Sequence, residues 1–213
     1  MKVTGIRTEK LDELRERVFI ATEDGEIECI FHPAGGDRGV IWLCGALGGF
    51  DGPSFGIFRI LSEQMVADGI SSLRLHYRYP GEFEECVLDV LAGIDVLKTR
   101  EIVRLALVGH SFGGAVAIQA GTMSREVKAV VGLSSQTYGA RRVAELAPRP
   151  LLLIHGERDR NLPAASSRYI YEWARQPKEL HILKNNGHFL REAHNALLTQ
   201  IREWLKDKLK SEP

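Results

Sequence analysis

Short runs of Val, Ile and Leu that alternate with longer amphipathic stretches are the feature that most narrows what this chain can become. Residues 40–44, 105–108, 129–133 and 151–154 are apolar at nearly every position, and 70–75 adds a shorter run with Ile70, Leu73 and Leu75. A strand wetted on one face alternates apolar with polar residues, so runs this continuous belong to strands covered on both faces. Between them, residues 55–67 carry Ile57, Ile60, Leu61 and Met65 at helical spacing. Residues 83–97 do the same with Val87, Leu88, Leu91, Ile94 and Leu97, and the last segment with Leu190, Ala193, Leu197, Ile201, Leu205 and Leu209. Strand, helix, strand in repetition implies right-handed crossovers and an α/β fold, a mostly parallel sheet with helices on both faces.

Two segments stand outside that rhythm. Residues 17–21 and 26–31 flank Asp24-Gly25 and read as an early hairpin. Residues 9–17 are charged, with only Leu11 and Leu14 to offer an apolar face, and read as a surface helix. No repeat, low-complexity tract or Pro/Gly/Ser-rich linker divides the 213 residues, which are expected to form one domain, 1–213.

The chemistry concentrates at Gly109-His110-Ser111-Phe112-Gly113, between the apolar run ending at Val108 and a helical stretch over 115–121. A serine on a sharp strand-to-helix turn needs a strained backbone, and glycines on both sides leave room for it. Such a turn lifts the hydroxyl above the sheet edge. It also brings the Phe112 N–H and a helix N-terminus close to any negative charge that develops there. A serine hydroxyl is a weak nucleophile until a base takes its proton. Past the run at 151–154 come Gly156-Glu157-Arg158-Asp159, and past a further strand at 179–184 come Asn186-Gly187-His188. Both loops follow strands and so fall at the same sheet edge as Ser111. Asp159 is expected to be the supporting acid, with Glu157 as its nearest rival, and His188 the base. The order Ser111, Asp159, His188 is one of three known arrangements of a serine triad. A second backbone donor for an oxyanion is expected from the loop Cys44-Gly45-Ala46-Leu47-Gly48-Gly49, at Ala46 or alternatively Leu47. Leu47, Phe50, Tyr138, Leu162 and Phe189 are expected to line a substrate pocket. Tyr77, Arg78 and Tyr79 suit either a polar contact or a brace at the sheet edge.

Other classes are disfavoured. Lys plus Arg and Asp plus Glu number 28 each, which leaves no electrostatic footprint for nucleic acid. No apolar run approaches the length of a membrane span. The three cysteines lack a Cys-x-x-Cys pair, and the charged start lacks a signal-peptide core, so a cytoplasmic protein is expected. Phosphate-loop, dinucleotide and zinc-protease motifs are missing, and neither metal nor cofactor is expected.

These motifs together resemble the α/β-hydrolase superfamily over nearly the whole chain. The resemblance rests on 109–114, on Leu-Cys-Gly-Ala-Leu-Gly-Gly at 43–49, on Leu-His-Tyr-Arg-Tyr-Pro-Gly at 75–81, on 155–163 and on 186–188. It implies about eight strands, with the hairpin as an antiparallel edge. The oxyanion loop opens with Cys44 where many members carry His. Only residues 136–149 separate the strand ending near Ser134 from the next at Leu151, too few for the helical cap that many members insert. A compact, lidless form results, similar to dienelactone-hydrolase-like and small carboxylesterase-like members. The resemblance implies a serine hydrolase that cleaves an ester-like bond in a small molecule through an acyl-enzyme. An acyltransferase with the same triad, or a ligand-binding protein without catalysis, would present the same motifs. The oligomeric state is not readable.

Overall fold

A computed structural model of the protein describes residues 1–210. Nine strands form one sheet in the order β1-β2-β3-β5-β4-β6-β7-β8-β9. They are β1 (Val3–Lys10), β2 (Glu16–Thr22), β3 (Gly25–His32), β4 (Arg38–Leu43), β5 (Ser71–His76), β6 (Arg104–His110), β7 (Val127–Leu133), β8 (Leu151–Gly156) and β9 (Lys178–Leu183). From β5 onward across the sheet every pairing is parallel, whereas β1, β2 and β3 run antiparallel to their neighbours.

The continuous apolar runs resolve into two faces, because successive side chains on a strand point opposite ways. Val40 and Trp42 of β4 join one core, closed by α1 (Pro53–Val66) and α5 (His194–Lys208) through Ile57, Phe58, Leu61, Leu197 and Ile201. Ile41 and Leu43 join the other, closed by α2 (Phe83–Thr99) and α3 (Phe112–Met123) through Val90, Ile94, Ala115 and Ile118. A further helix, α4 (Ala165–Trp173), adds Ile170 to that second core.

Three expectations change. Residues 9–17 are not a helix: Glu9 and Lys10 end β1, a turn follows, and Glu16 opens β2. β1 is exposed from Thr4 to Lys10 and is held by backbone pairing with β2, which its apolar content does not announce. It raises the strand number from about eight to nine. The hairpin turn sits at Glu23-Asp24, with Thr22 opposite Gly25, one residue earlier than Asp24-Gly25 suggests. The stretch 141–146 is a short 3-10 helix, so β7 passes to β8 without a cap.

The chain moves from β4 to β5 on one side, then returns across β4 to β6 on the other. The loops after β4 and β6 therefore diverge at the carboxyl edge of the sheet and leave a crevice there. The chemistry-bearing residues converge on that crevice.

Candidate active site

Ser111 joins β6 to α3 with φ 57° and ψ −118°, a left-handed conformation that side chains disfavour. Hydrogen bonds hold it there: the Ser111 N–H donates to the Leu133 carbonyl at 2.8 Å, and its own carbonyl accepts from Gly114 N–H at 3.1 Å. The flanking glycines are obligatory. A Cβ on Gly109 would collide with the Gly113 carbonyl, and one on Gly113 with the carbonyls of Leu43 and Cys44. The turn thus nests against the end of β4, and the Phe112 N–H opens α3 beside the serine. The Phe112 ring points away into the core, edge-on to Tyr77 and Phe83.

The loop after β4 is pinned from three directions. The Gly48 N–H donates to the Gly45 carbonyl at 2.9 Å, closing a turn around Ala46 and Leu47. The Gly49 N–H donates to His76 Nδ1 at 2.7 Å, and the Tyr77 hydroxyl donates to the Cys44 carbonyl at 3.3 Å. A Cβ on Gly45 would stand 3.8 Å from Ser111 Cβ, which measures how closely this loop approaches the serine. Cys44 is buried, and burial pushes its thiol up to about 11, so it stays a protonated packing group.

Asp159 and His188 meet across two loops. His188 Nδ1 lies 2.7 Å from Asp159 Oδ2. Asp159 Oδ1 accepts the N–H groups of Asn161 and Leu162 at 2.8 Å each, an arrangement that fixes the carboxylate within its own turn. Burial pushes the Asp159 carboxyl up, but the Leu162 N–H, His188 and the Asn161 N–H more than offset it and hold it below the ordinary range. Glu157, the rival acid, is exposed. His188 also takes support from beneath, where His110 Nε2 donates to the His188 carbonyl at 3.0 Å. Burial is the largest cause pulling His110 down to about 4, so that ring is neutral.

Ser111 and His188 line the same cavity of about 530 Å³, together with Ala46, Leu47, Phe50, Asp51, Asn161 and Phe189. No hydrogen bond joins the Ser111 hydroxyl to the His188 imidazole. Contacts of this kind are commonly loose until substrate is bound. Of the apolar residues expected in the pocket, Leu47, Phe50 and Phe189 are in its wall. Tyr138 and Leu162 are not: Tyr138 packs on Phe83, and Leu162 donates its backbone N–H to Asp159. Tyr77, Arg78 and Tyr79 act as braces, since Arg78 binds Asp89 and Glu85 while the Tyr79 hydroxyl donates to the Asp24 carbonyl. Of two further histidines nearby, His76 holds the loop after β4, and His155 touches Asp159. Among the described residues, no group of three or more His, Cys, Asp or Glu side chains is placed to hold a metal ion, and no helix is long and apolar enough to cross a membrane.

A family model for the dienelactone hydrolase family matches residues 76–201. The uncharacterized protein YfhR of Escherichia coli, strains K12 and O157:H7, is 31% identical over 126 residues, covering 47% of this chain and 44% of that protein. The match thus spans less than half the length of those relatives. A dienelactone hydrolase from Anabaena variabilis superposes with a TM-score of 0.78 at 19% identity, covering 92% of this chain and 98% of its own. An esterase from Pyrococcus furiosus superposes with a TM-score of 0.76 at 22% identity over 92% of this chain and 93% of its own. At these identities the structural likeness is one of fold.

Proposed function

The chain belongs to the dienelactone hydrolase family, and from that premise we propose that it is a serine hydrolase, a single domain over 1–213, that cleaves ester-like bonds in small molecules through Ser111, His188 and Asp159. Family membership supports hydrolase activity on ester-like substrates. The serine mechanism rests on one observation above the others: a histidine bonded to a buried carboxylate at 2.7 Å shares a cavity with a serine on a strained strand-to-helix turn.

In this reading the substrate carbonyl sits over Ser111, and His188 Nε2 removes the hydroxyl proton as Oγ attacks. The Asp159 carboxylate accepts from Nδ1–H, keeps the other nitrogen free as a base, and stabilises the imidazolium that forms. The oxyanion lies between the backbone N–H groups of Phe112 and Ala46, with Leu47 as the alternative to Ala46. Collapse expels the alcohol, which takes its proton from His188 and leaves an acyl-Ser111 ester. Water then repeats the sequence and releases the acid. Leu47, Phe50 and Phe189 give the cavity an apolar wall, suited to an acyl or alkyl group.

The test is labelling of Ser111 by a fluorophosphonate, followed by turnover of aryl esters of graded acyl length. Ser111→Ala is expected to lose labelling and at least about a thousandfold in kcat. A Ser111→Ala protein that hydrolyses these esters at the wild-type rate would overturn the assignment.

A further inference from the structure

We propose that His155, together with Ser167, is a positioning device for the triad acid: it fills the last open lone pair of Asp159 and so fixes the carboxylate that His188 depends on. The inference rests on the serine-hydrolase reading above and extends it to two residues outside the triad.

The geometry sets the proton positions. His155 Nε2 lies 3.1 Å from Asp159 Oδ2 and 3.0 Å from the Leu162 carbonyl oxygen. Both neighbours are acceptors, so Nε2 carries the hydrogen and donates to each. On the other side of the ring, His155 Nδ1 lies 2.7 Å from Ser167 Oγ. With Nε2 protonated and the ring neutral, Nδ1 is an acceptor, and the Ser167 hydroxyl donates to it. Neutrality follows from the setting: His155 and Ser167 are both fully buried, and burial is the largest cause lowering the histidine's pKa. The hydroxyl on α4 thereby satisfies the free lone pair of the tautomer that presents a donor to the acid.

Counting donors on Asp159 shows why this matters. A carboxylate offers about four lone-pair sites. Oδ1 takes the N–H groups of Asn161 and Leu162, and Oδ2 takes His188 Nδ1 and His155 Nε2. The side chain is fully enclosed, so no water can replace a missing donor. Without His155, Oδ2 would be anchored by His188 alone, the very group it is meant to orient. Direction of support therefore runs from Ser167 through His155 and Asp159 to His188.

The experiment compares wild type with His155→Gln, His155→Leu, Ser167→Ala and Ser111→Ala on one aryl ester, measuring kcat and KM separately and thermal unfolding alongside. Gln places an amide N–H near the position of imidazole Nε2, while Leu offers none. His155→Leu is expected to lose about tenfold or more in kcat with KM within about twofold, because the base is misoriented while the pocket is intact. His155→Gln is expected to recover most of that loss. A folded His155→Leu enzyme with wild-type kcat, or a folded His155→Gln as impaired as His155→Leu, overturns the proposal. Should His155→Leu fail to fold, Ser167→Ala decides: a kcat loss of about threefold at unchanged KM supports the device, and wild-type kcat overturns it. Ser111→Ala separates the two readings, since turnover surviving in it indicts the serine mechanism and not the role of His155.

Discussion

The Arg78 guanidinium and the Asp89 carboxylate are sealed against each other at 2.5 Å, with side-chain exposures of 2% and 0%. Asp89 Oδ2 also accepts the Arg78 N–H at 2.8 Å, and Arg78 reaches Glu85 and Thr22, so one buried pair ties the loop after β5, α2 and the end of β2 together. Removing Arg78 strands the Asp89 carboxylate, and removing Asp89 leaves the enclosed guanidinium only the half-exposed Glu85 as an acidic partner. Asp89→Ala is expected to cost about 3–5 kcal/mol, read from urea unfolding. A loss below about 1 kcal/mol would show that the pair is not the brace its enclosure implies.

Gly113 meets a different limit. The atoms a Cβ would strike are the carbonyls of Leu43 and Cys44, backbone at the end of a central strand, which cannot swing aside as a side chain can. Gly113→Ala is expected to lower stability by about 1–3 kcal/mol and to abolish fluorophosphonate labelling even where the protein remains folded. Normal labelling kinetics in the variant would mean that the elbow tolerates being pushed off β4.

Stability should fall in mild acid. Burial is the largest cause holding His32 and His110 each down at about 4. His32 Nε2 accepts from Arg74 Nε, which requires that nitrogen unprotonated. An unfolded histidine titrates near 6.5, so below that pH the unfolded chain binds protons that these two folded rings refuse. Their stabilising contribution is complete above about pH 6.5 and is withdrawn as pH falls toward about 4. At pH 5 each site is expected to subtract on the order of 2 kcal/mol. Urea midpoints at pH 7.5 and pH 5 measure the loss, and His32→Gln should flatten the dependence if it retains the bond to Arg74.

Leu47 is 92% exposed, an unusual position for a leucine at the mouth of a cavity, and Phe189 lies in the same wall. An acyl chain laid across them would cover apolar area at roughly 25 cal/mol per Å². Leu47→Ala is expected to raise KM about fivefold for a hexanoyl or longer ester, or about 1 kcal/mol, while leaving an acetyl ester unchanged. Equal effects on both would place the acyl group elsewhere.

What the sequence discloses and what it hides follow from which atoms carry each interaction. The parallel sheet is legible because burial on both faces leaves continuous apolar runs at 40–44, 105–108 and 151–154. α4 is not, since its buried side is made of Ser166, Ser167 and Ile170, which give no apolar stripe at helical spacing. β1 escapes for the opposite reason, being exposed and held by its backbone. At the site, Ser111, Asp159 and His188 are readable as types in order, and the structure brings Asp159 and His188 into contact. The N–H groups of Asn161 and Leu162 that fix the acid are peptide groups any residue would bring, so no letter in the sequence marks them. Tyr138 looks like a pocket residue because its loop follows β7, yet its ring packs on Phe83.

The brevity of residues 134–150, which carry β7 to β8 through one short 3-10 helix, bears on the proposed turnover. In the proposed hydrolysis, substrates would need no opening stroke from this segment, and products would leave along the route by which they came. Selection among molecules would then fall to the few side chains on the cleft's lip, with long or branched compounds free to overhang it. The proposed enzyme would trade shelter for breadth.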